Sequence, residues 1–227
     1  MISAGKMPAP RTTKFKSLSK VYLSNLKSKM ARFSPHPQYS DRYDRAVQFA
    51  LEAHRYQQRK YSGKPYILHL QAVSSYVWLD GGNENEAIAA WLHDYPEDIA
   101  PERGMTIPEG VEEIAREFGP EIAAIVRGCT ECDRSGTWRD RKQLYIDQVA
   151  ASSDSVVLVS LADKYDNYSN GYFHEIGQKS AQPSRKRPEI IWFGETLAEI
   201  YRRRLPHSLL VPQFFQVLEH LKPFHLE

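Results

Sequence analysis

One segment decides the fold class. Residues 152–167, SSDSVVLVSLADKYDN, contain the longest apolar run of the chain, VVLVSLA, and Val156 to Val159 favour a strand by propensity. A strand needs a neighbour to satisfy its backbone donors and acceptors, and no second strand-like segment is available to pair with it. The same residues also fit a helix. Val156, Val159, Ala162 and Tyr165 or Asp166 recur at helical spacing, and Ser152 to Asp154 can cap its start. The segment is therefore read as a buried helix, and the chain as an all-α domain.

The rest of the pattern agrees after Tyr43. Ala46, Phe49, Ala50 and Ala53 share one helical face, as do Leu68, Ala72, Tyr76 and Leu79. GGN at 81–83 is a turn, and NEAIAAWLHD is a helix that Pro96 is predicted to stop near Tyr95. A loop runs through Gly104. IPEGVEEIAREFG then reads as a short helix, with Pro108 in its first turn and Gly119 past its end. EIAAIVRGCTEC and WRDRKQLYIDQVA add two more. A polar loop covers 177–186, and helices near 188–204 and 212–221 close the chain.

With 227 residues, 41% of them hydrophobic, one sizeable core is predicted, and no apolar run approaches a membrane span. The net charge of +2 hides a division. Residues 1–40 hold eight Lys and Arg and no Asp or Glu, so the other 22 basic and 28 acidic residues leave 41–227 at −6. The first forty residues are read as a basic extension separate from the domain at 41–227. Phe15, Leu18, Tyr22, Leu26 and Met30 recur there at helical spacing between lysines. Three readings stand: a surface arm for anionic partners, an organelle transit peptide, or a start at Met30. Binding of nucleic acid rests on that arm alone and is not favoured. Cys129 and Cys132 form a lone CxxC, read as reduced core cysteine in a cytoplasmic protein.

The chemistry lies in three short stretches. His69, the pair His93–Asp94, and Asp163 form a mixed nitrogen and oxygen set that suits a divalent ion such as manganese, iron or zinc. Taken singly, a His or Asp on a helix is unremarkable. Yet His93 and Asp94 follow apolar AAWL and precede Glu97 and Asp98, so four ionisable groups crowd the end of a buried helix. Asp163 sits inside the apolar run. Such charge is costly to bury unless a cation neutralises it. A metal with spare carboxylates beside it can activate water for phosphoester hydrolysis.

These motifs resemble the HD-domain phosphohydrolases, and their flanks resemble the alarmone hydrolases: the hydrolase domain of RelA/SpoT proteins and their small single-domain relatives. The matching residues are Arg59–Lys60, Gly63, Pro65–Tyr66 and His69; then Leu92–His93–Asp94 with Glu97–Asp98; then Leu161–Ala162–Asp163 with Asn167. The likeness runs from about 44 to 170 and implies a helical bundle with a metal site at its centre. It also implies one manganese ion on His69, His93, Asp94 and Asp163, with Glu97 and Asp98 acting on the attacking water. Arg59 would lie against a guanine base, Lys60 near phosphates, and Asn167 near ribose or phosphate. The reaction implied removes the 3′ pyrophosphate from guanosine tetra- or pentaphosphate.

A paired alarmone-synthesising toxin is a candidate partner, and no membrane is implied. Other readings are an HD phosphatase for another nucleotide or nucleotide cofactor, and a non-catalytic HD regulatory protein. Arg141 and Lys142 are weaker candidates for phosphate contact, and Lys164 is read as a surface charge. Leu70, Tyr95, Pro96 and Ile99 depart from the family's usual residues and put substrate fit in question, and Tyr61 lengthens the loop before Gly63.

Overall fold

In the computed structural model, which describes residues 38–60, 62–131, 135–177 and 187–222, the apolar run 156–162 is helical. The described residues form nine α-helices: α1 (Asp41–Ala53), α2 (Ile67–Leu79), α3 (Glu84–Leu92), α4 (Ile107–Phe118), α5 (Pro120–Cys129), α6 (Trp138–Ala151), α7 (Asp154–Gly177), α8 (Arg187–Arg204) and α9 (Leu210–Leu221). Among these residues the only β-type pairing is an isolated antiparallel bridge between Gln58 and Pro65. The all-α reading holds. The basic arm lies outside the described residues as far as position 37, as do Tyr61, Cys132 and the polar loop at 178–186.

Helix α7 is the axis of the bundle and packs against α2, α3, α5, α6, α8 and α9. Every residue from Val156 to Asp163 is buried. A helix surrounded by others can be apolar all round, so a valine run is compatible with it and packing overrides strand propensity. Gly128 of α5 makes the closest crossing: a Cβ there would lie 2.4 Å from Val156 Cγ2. The core around this axis includes Leu70, Val73, Ile88, Leu92, Ile122, Val126, Leu161, Leu197 and Phe214.

Local signals set the helix ends. Asn83 accepts from the Glu86 amide at 3.1 Å while Glu86 accepts from the Asn83 amide at 2.6 Å, a reciprocal cap that starts α3. Thr106 with Glu109 and Thr137 with Asp140 start α4 and α6 in the same way. Gly119, at φ 101°, ends α4 where a side chain would be strained.

The end of α3 departs from expectation. It stops at Leu92, three residues short of Tyr95; Pro96 has no N–H to bond the Leu92 carbonyl, and its ring crowds that carbonyl. His93 and Asp94 form a turn, and Pro96 sits inside a π-helical turn at Tyr95–Ile99, closed by the Ala100 amide on the Tyr95 carbonyl at 3.0 Å. Pro96 lacks an N–H, but near the start of a turn that donor is not needed. The wide turn that carries Pro96 thus sets the heading of Glu97 and Asp98.

Candidate metal centre and its surroundings

Three helices deliver the predicted ligands to one point. His69 stands in the first turn of α2, His93 and Asp94 just past the end of α3, and Asp163 midway along α7. His69 Nε2 lies 3.3 Å from Asp94 Oδ2 and 3.3 Å from Asp163 Oδ1. His93 Nε2 lies 3.0 Å from Asp94 Oδ2 and 3.7 Å from Asp163 Oδ1. Ligand atoms of His69, His93 and Asp94 all fall within 4.8 Å of one another. All four predicted ligands therefore converge.

The donors suit a cation. Both Nε2 atoms are buried and make no hydrogen bond. Each imidazole is oriented through its other nitrogen: His93 Nδ1 on the Ala90 carbonyl at 2.8 Å, His69 Nδ1 on Asp166 Oδ2 at 2.7 Å. A buried nitrogen without a partner is costly, and four converging N and O atoms are what a divalent transition ion takes. The field is also favourable to positive charge. Burial opposes the charged imidazolium, yet Asp163, Asp166 and Asp94 raise His69 to about 10. His93 is likewise held well above its ordinary value, burial being outweighed by Asp94 and Asp163. Burial would lift Asp94 and Asp163, but His93 beside Asp94 and Lys164 beside Asp163 hold both carboxyls well below the usual range.

The two acids after the ligand pair take partners on different segments. Glu97 accepts the Glu131 amide at 2.7 Å, and Asp98 Oδ2 accepts from Gln57 Nε2 at 2.7 Å. Burial pushes Glu97 up to about 7, against the pull of that amide. Its carboxyl is therefore poised near neutrality, where it can both take and give a proton.

Arg59 donates through Nη1 to Asp166 and through Nη2 to Asn167 Oδ1 at 3.0 Å. Asn167 in turn donates to Asp163 Oδ1. Lys60 is exposed in the turn that follows. Arg141 and Lys142 both lie against Glu131, Lys142 in a direct ion pair and Arg141 at 3.9 Å.

One reading is corrected. Lys164 is not a surface charge: its side chain is 15% exposed, its Nζ is 2.6 Å from Asp163 Oδ2, and it lies 4.8 Å from the Tyr145 ring centre. The departures from the family pattern that lie among the described residues are core positions. Leu70, Tyr95, Pro96 and Ile99 are buried, with the Tyr95 ring edge-on to Phe49 and its hydroxyl on Glu113.

Four groups at the site had not been assigned a role from sequence. Tyr66 donates to Asp94 Oδ2 at 2.6 Å, with burial and the nearby acids holding its hydroxyl protonated. Asp166 holds His69. His54, buried and stacked on Tyr66, shares a hydrogen bond with Gln57, which reaches Asp98. The order YxxH in YILH, which puts Tyr66 one turn before His69, was the available signal for Tyr66. Nothing comparable marked the others.

Comparisons with known proteins identify the family of the fold that carries this site. Residues 46–182 match the family model described as "HD domain". A guanosine-3′,5′-bis(diphosphate) 3′-pyrophosphohydrolase of Aquifex aeolicus is 32% identical over 136 residues, which are 59% of this chain and 18% of that protein. The enzyme of the same activity called MESH1 in Drosophila melanogaster is 34% identical over 56% of this chain and 68% of its own length. The chain thus spans a small part of the Aquifex relative and about two thirds of the Drosophila one. Among solved structures, that of a metazoan SpoT ortholog described as hydrolysing ppGpp superposes with a TM-score of 0.65 at 25% identity, covering 86% of this chain and all of that one. A Listeria monocytogenes EGD-e protein shares the fold at a TM-score of 0.55 and 24% identity, over 66% of this chain and 96% of that one. The family match runs from within α1 through the end of α7, a stretch that holds every candidate ligand, and the chain belongs to the HD-domain family.

Proposed function

We propose that this chain is a divalent-metal-dependent 3′-pyrophosphohydrolase of guanosine tetra- and pentaphosphate. The observation that carries it is the convergence of two unpartnered, buried imidazole nitrogens with Asp94 and Asp163, beside a carboxyl poised near neutrality. The relatives named for this activity, and their likeness to this chain, support the choice of substrate.

His69, His93, Asp94 and Asp163 would hold one ion, with manganese the reading taken from the donor set and the resemblance. When bound, such an ion supplies a water of lowered pKa and positive charge for developing phosphoryl oxygens. The chain's residues do the rest. Glu97 takes the proton from the attacking water, and its elevated proton affinity suits that task near neutral pH. Asp98, anchored by Gln57, orients the same water. Tyr66 and Asn167 hold Asp94 and Asp163 by donating to oxygens on the ligand side.

Arg59 binds Asp166 and Asn167 through its in-plane N–H groups, and a guanidinium face, perpendicular to those bonds, is the surface a base stacks on. Lys60 follows at the exposed edge and suits the phosphates. The proposed location is the cytoplasm, or an organelle if residues 1–40 act as a targeting segment, with an alarmone-synthesising toxin as the candidate protein partner.

The test is incubation of the purified protein with manganese and a panel of nucleotides, including guanosine tetraphosphate and dinucleotide cofactors. Release of pyrophosphate from the tetraphosphate supports the reading. An intact tetraphosphate beside a cleaved cofactor replaces it with an HD phosphatase of another substrate.

A further inference from the structure

The two histidines of the site are held in unlike ways. His93 gives its Nδ1 to a backbone carbonyl, a neutral acceptor fixed by α3 itself. His69 gives its Nδ1 to a side-chain carboxylate, Asp166, 2.7 Å away on α7. The same Asp166 oxygen accepts from Arg59 Nη1, so one oxygen is shared between an imidazole and a guanidinium. Both members are mostly enclosed, Arg59 10% and Asp166 14% exposed. A carboxylate behind an imidazole fixes its tautomer and ring plane and raises the basicity of the far nitrogen.

Arg59 touches a second ligand by another route. Its Nη2 donates to Asn167 Oδ1, and Asn167 donates to Asp163. Asp163, Asp166 and Asn167 stand at positions i, i+3 and i+4 of α7 and so lie on one helical face. The chain that carries Arg59 is pinned close by. Arg59 N donates to the Lys64 carbonyl at 2.8 Å, and Gly63 N to the Arg59 carbonyl at 2.9 Å, beside the Gln58–Pro65 bridge. The Arg59 guanidinium thereby reaches two of the four candidate ligands through two intermediate side chains.

We infer that Asp166 and Arg59 are positioning residues for the metal centre: Asp166 orients His69, and Arg59 fixes Asp166 and, through Asn167, Asp163. This rests on the reading of His69 and Asp163 as metal ligands. A consequence follows for any nucleotide that meets the guanidinium. Its binding and that of the metal are coupled through the same side chain, and coupling of two binding events is reciprocal.

The experiment is calorimetric titration of the full chain with Mn2+, and of the Co2+-loaded protein by visible absorption, with no nucleotide present. Wild type, His93→Ala, Asp166→Ala, Asp166→Asn and Arg59→Ala are compared, with circular dichroism to verify folding. The expected result is that wild type binds one ion and His93→Ala none. Asp166→Ala should weaken Mn2+ binding about 10- to 100-fold, the range typical for loss of such an outer partner. Asp166→Asn, which keeps an acceptor but loses the charge, should fall between Asp166→Ala and wild type, and the Co2+ bands should shift in both.

Arg59→Ala should weaken binding in a wild-type background; in the double variant with Asp166→Ala, titrated beside the others, it should add less, because only the route through Asn167 is then left to lose. Wild-type affinity and an unchanged Co2+ spectrum in folded Asp166→Ala would overturn the inference while leaving the metal site standing. If Asp166→Ala does not fold, Asp166→Asn decides by the same readouts. Failure of wild type to bind any ion would instead overturn the reading on which it rests.

Discussion

Replacing Glu97 by glutamine should make the protein more stable at pH 8, although the residue is proposed to do the chemistry. Glu97 is partly buried beside Asp94, and burial raises its carboxyl from 4.5 to about 7. The folded state therefore holds the proton more tightly than the unfolded chain. Below about pH 4.5 both states are protonated and the site costs nothing. Between 4.5 and about 7 the unfolded chain ionises first, so stability falls as pH rises, and above about 7 the full cost is present. At about 1.4 kcal/mol per tenfold change in proton affinity, that cost is about 3 kcal/mol.

Glutamine keeps the shape and still accepts the Glu131 amide, but carries no charge to desolvate. Urea denaturation of both proteins at pH 8 and pH 5, with chelator present, measures the difference. The variant should lead by about 2–3 kcal/mol at pH 8 and by much less at pH 5. Equal stability at both values, or a less stable variant at pH 8, would refute the claim that Glu97 is held protonated by its surroundings.

Other consequences are separable from this one. In the kinetic assay, Glu97→Gln should retain the metal but lose about 10²–10⁴-fold in kcat, and loss of the metal instead would make Glu97 a ligand. The wild-type kcat should rise with pH along a limb at or below about 7, since the active base is the ionised carboxylate and a nearby cation favours ionisation; Glu97→Gln should lack that limb. Asp163→Ala and His93→Ala should each lose both metal retention and hydrolysis, read by metal analysis after gel filtration, and turnover with a full equivalent of metal removes that residue from the site. Gly128→Ala should destabilise by about 1–3 kcal/mol in urea because the added methyl meets Val156 inside the packed α5–α7 crossing; an unchanged midpoint would show that the crossing can relax.

The parts legible in the sequence were those that leave a local mark. The apolar face of α1 at Ala46, Phe49, Ala50 and Ala53 is one, and the candidate ligands His69, His93, Asp94 and Asp163 stand where ionisable groups interrupt apolar runs; the face read for α2 is not, since Leu68 and Leu79 are exposed and Leu70, Val73 and Val77 are buried instead. What escaped depends on tertiary partners. Asp166 is one more acid on a helix until α2 brings His69 against it. Lys164 next to Asp163 looks like a solvated pair, but α7 is enclosed there, so the charge is turned inward onto Asp163 and Tyr145. Pro96 marks the end of α3 but not its last residue, which comes three positions before Tyr95. Its ring and missing N–H bear on the Leu92 carbonyl four residues back, where α3 ends, but the π-helical turn that follows leaves no mark in the sequence.

The most direct test of the account is product analysis of guanosine tetraphosphate incubated with the purified chain and manganese, with and without chelator. The account predicts GDP and pyrophosphate in equal amounts, abolished by chelator and restored by added manganese. Tetraphosphate that stays intact with the metal bound, or hydrolysis that persists in chelator, would contradict it.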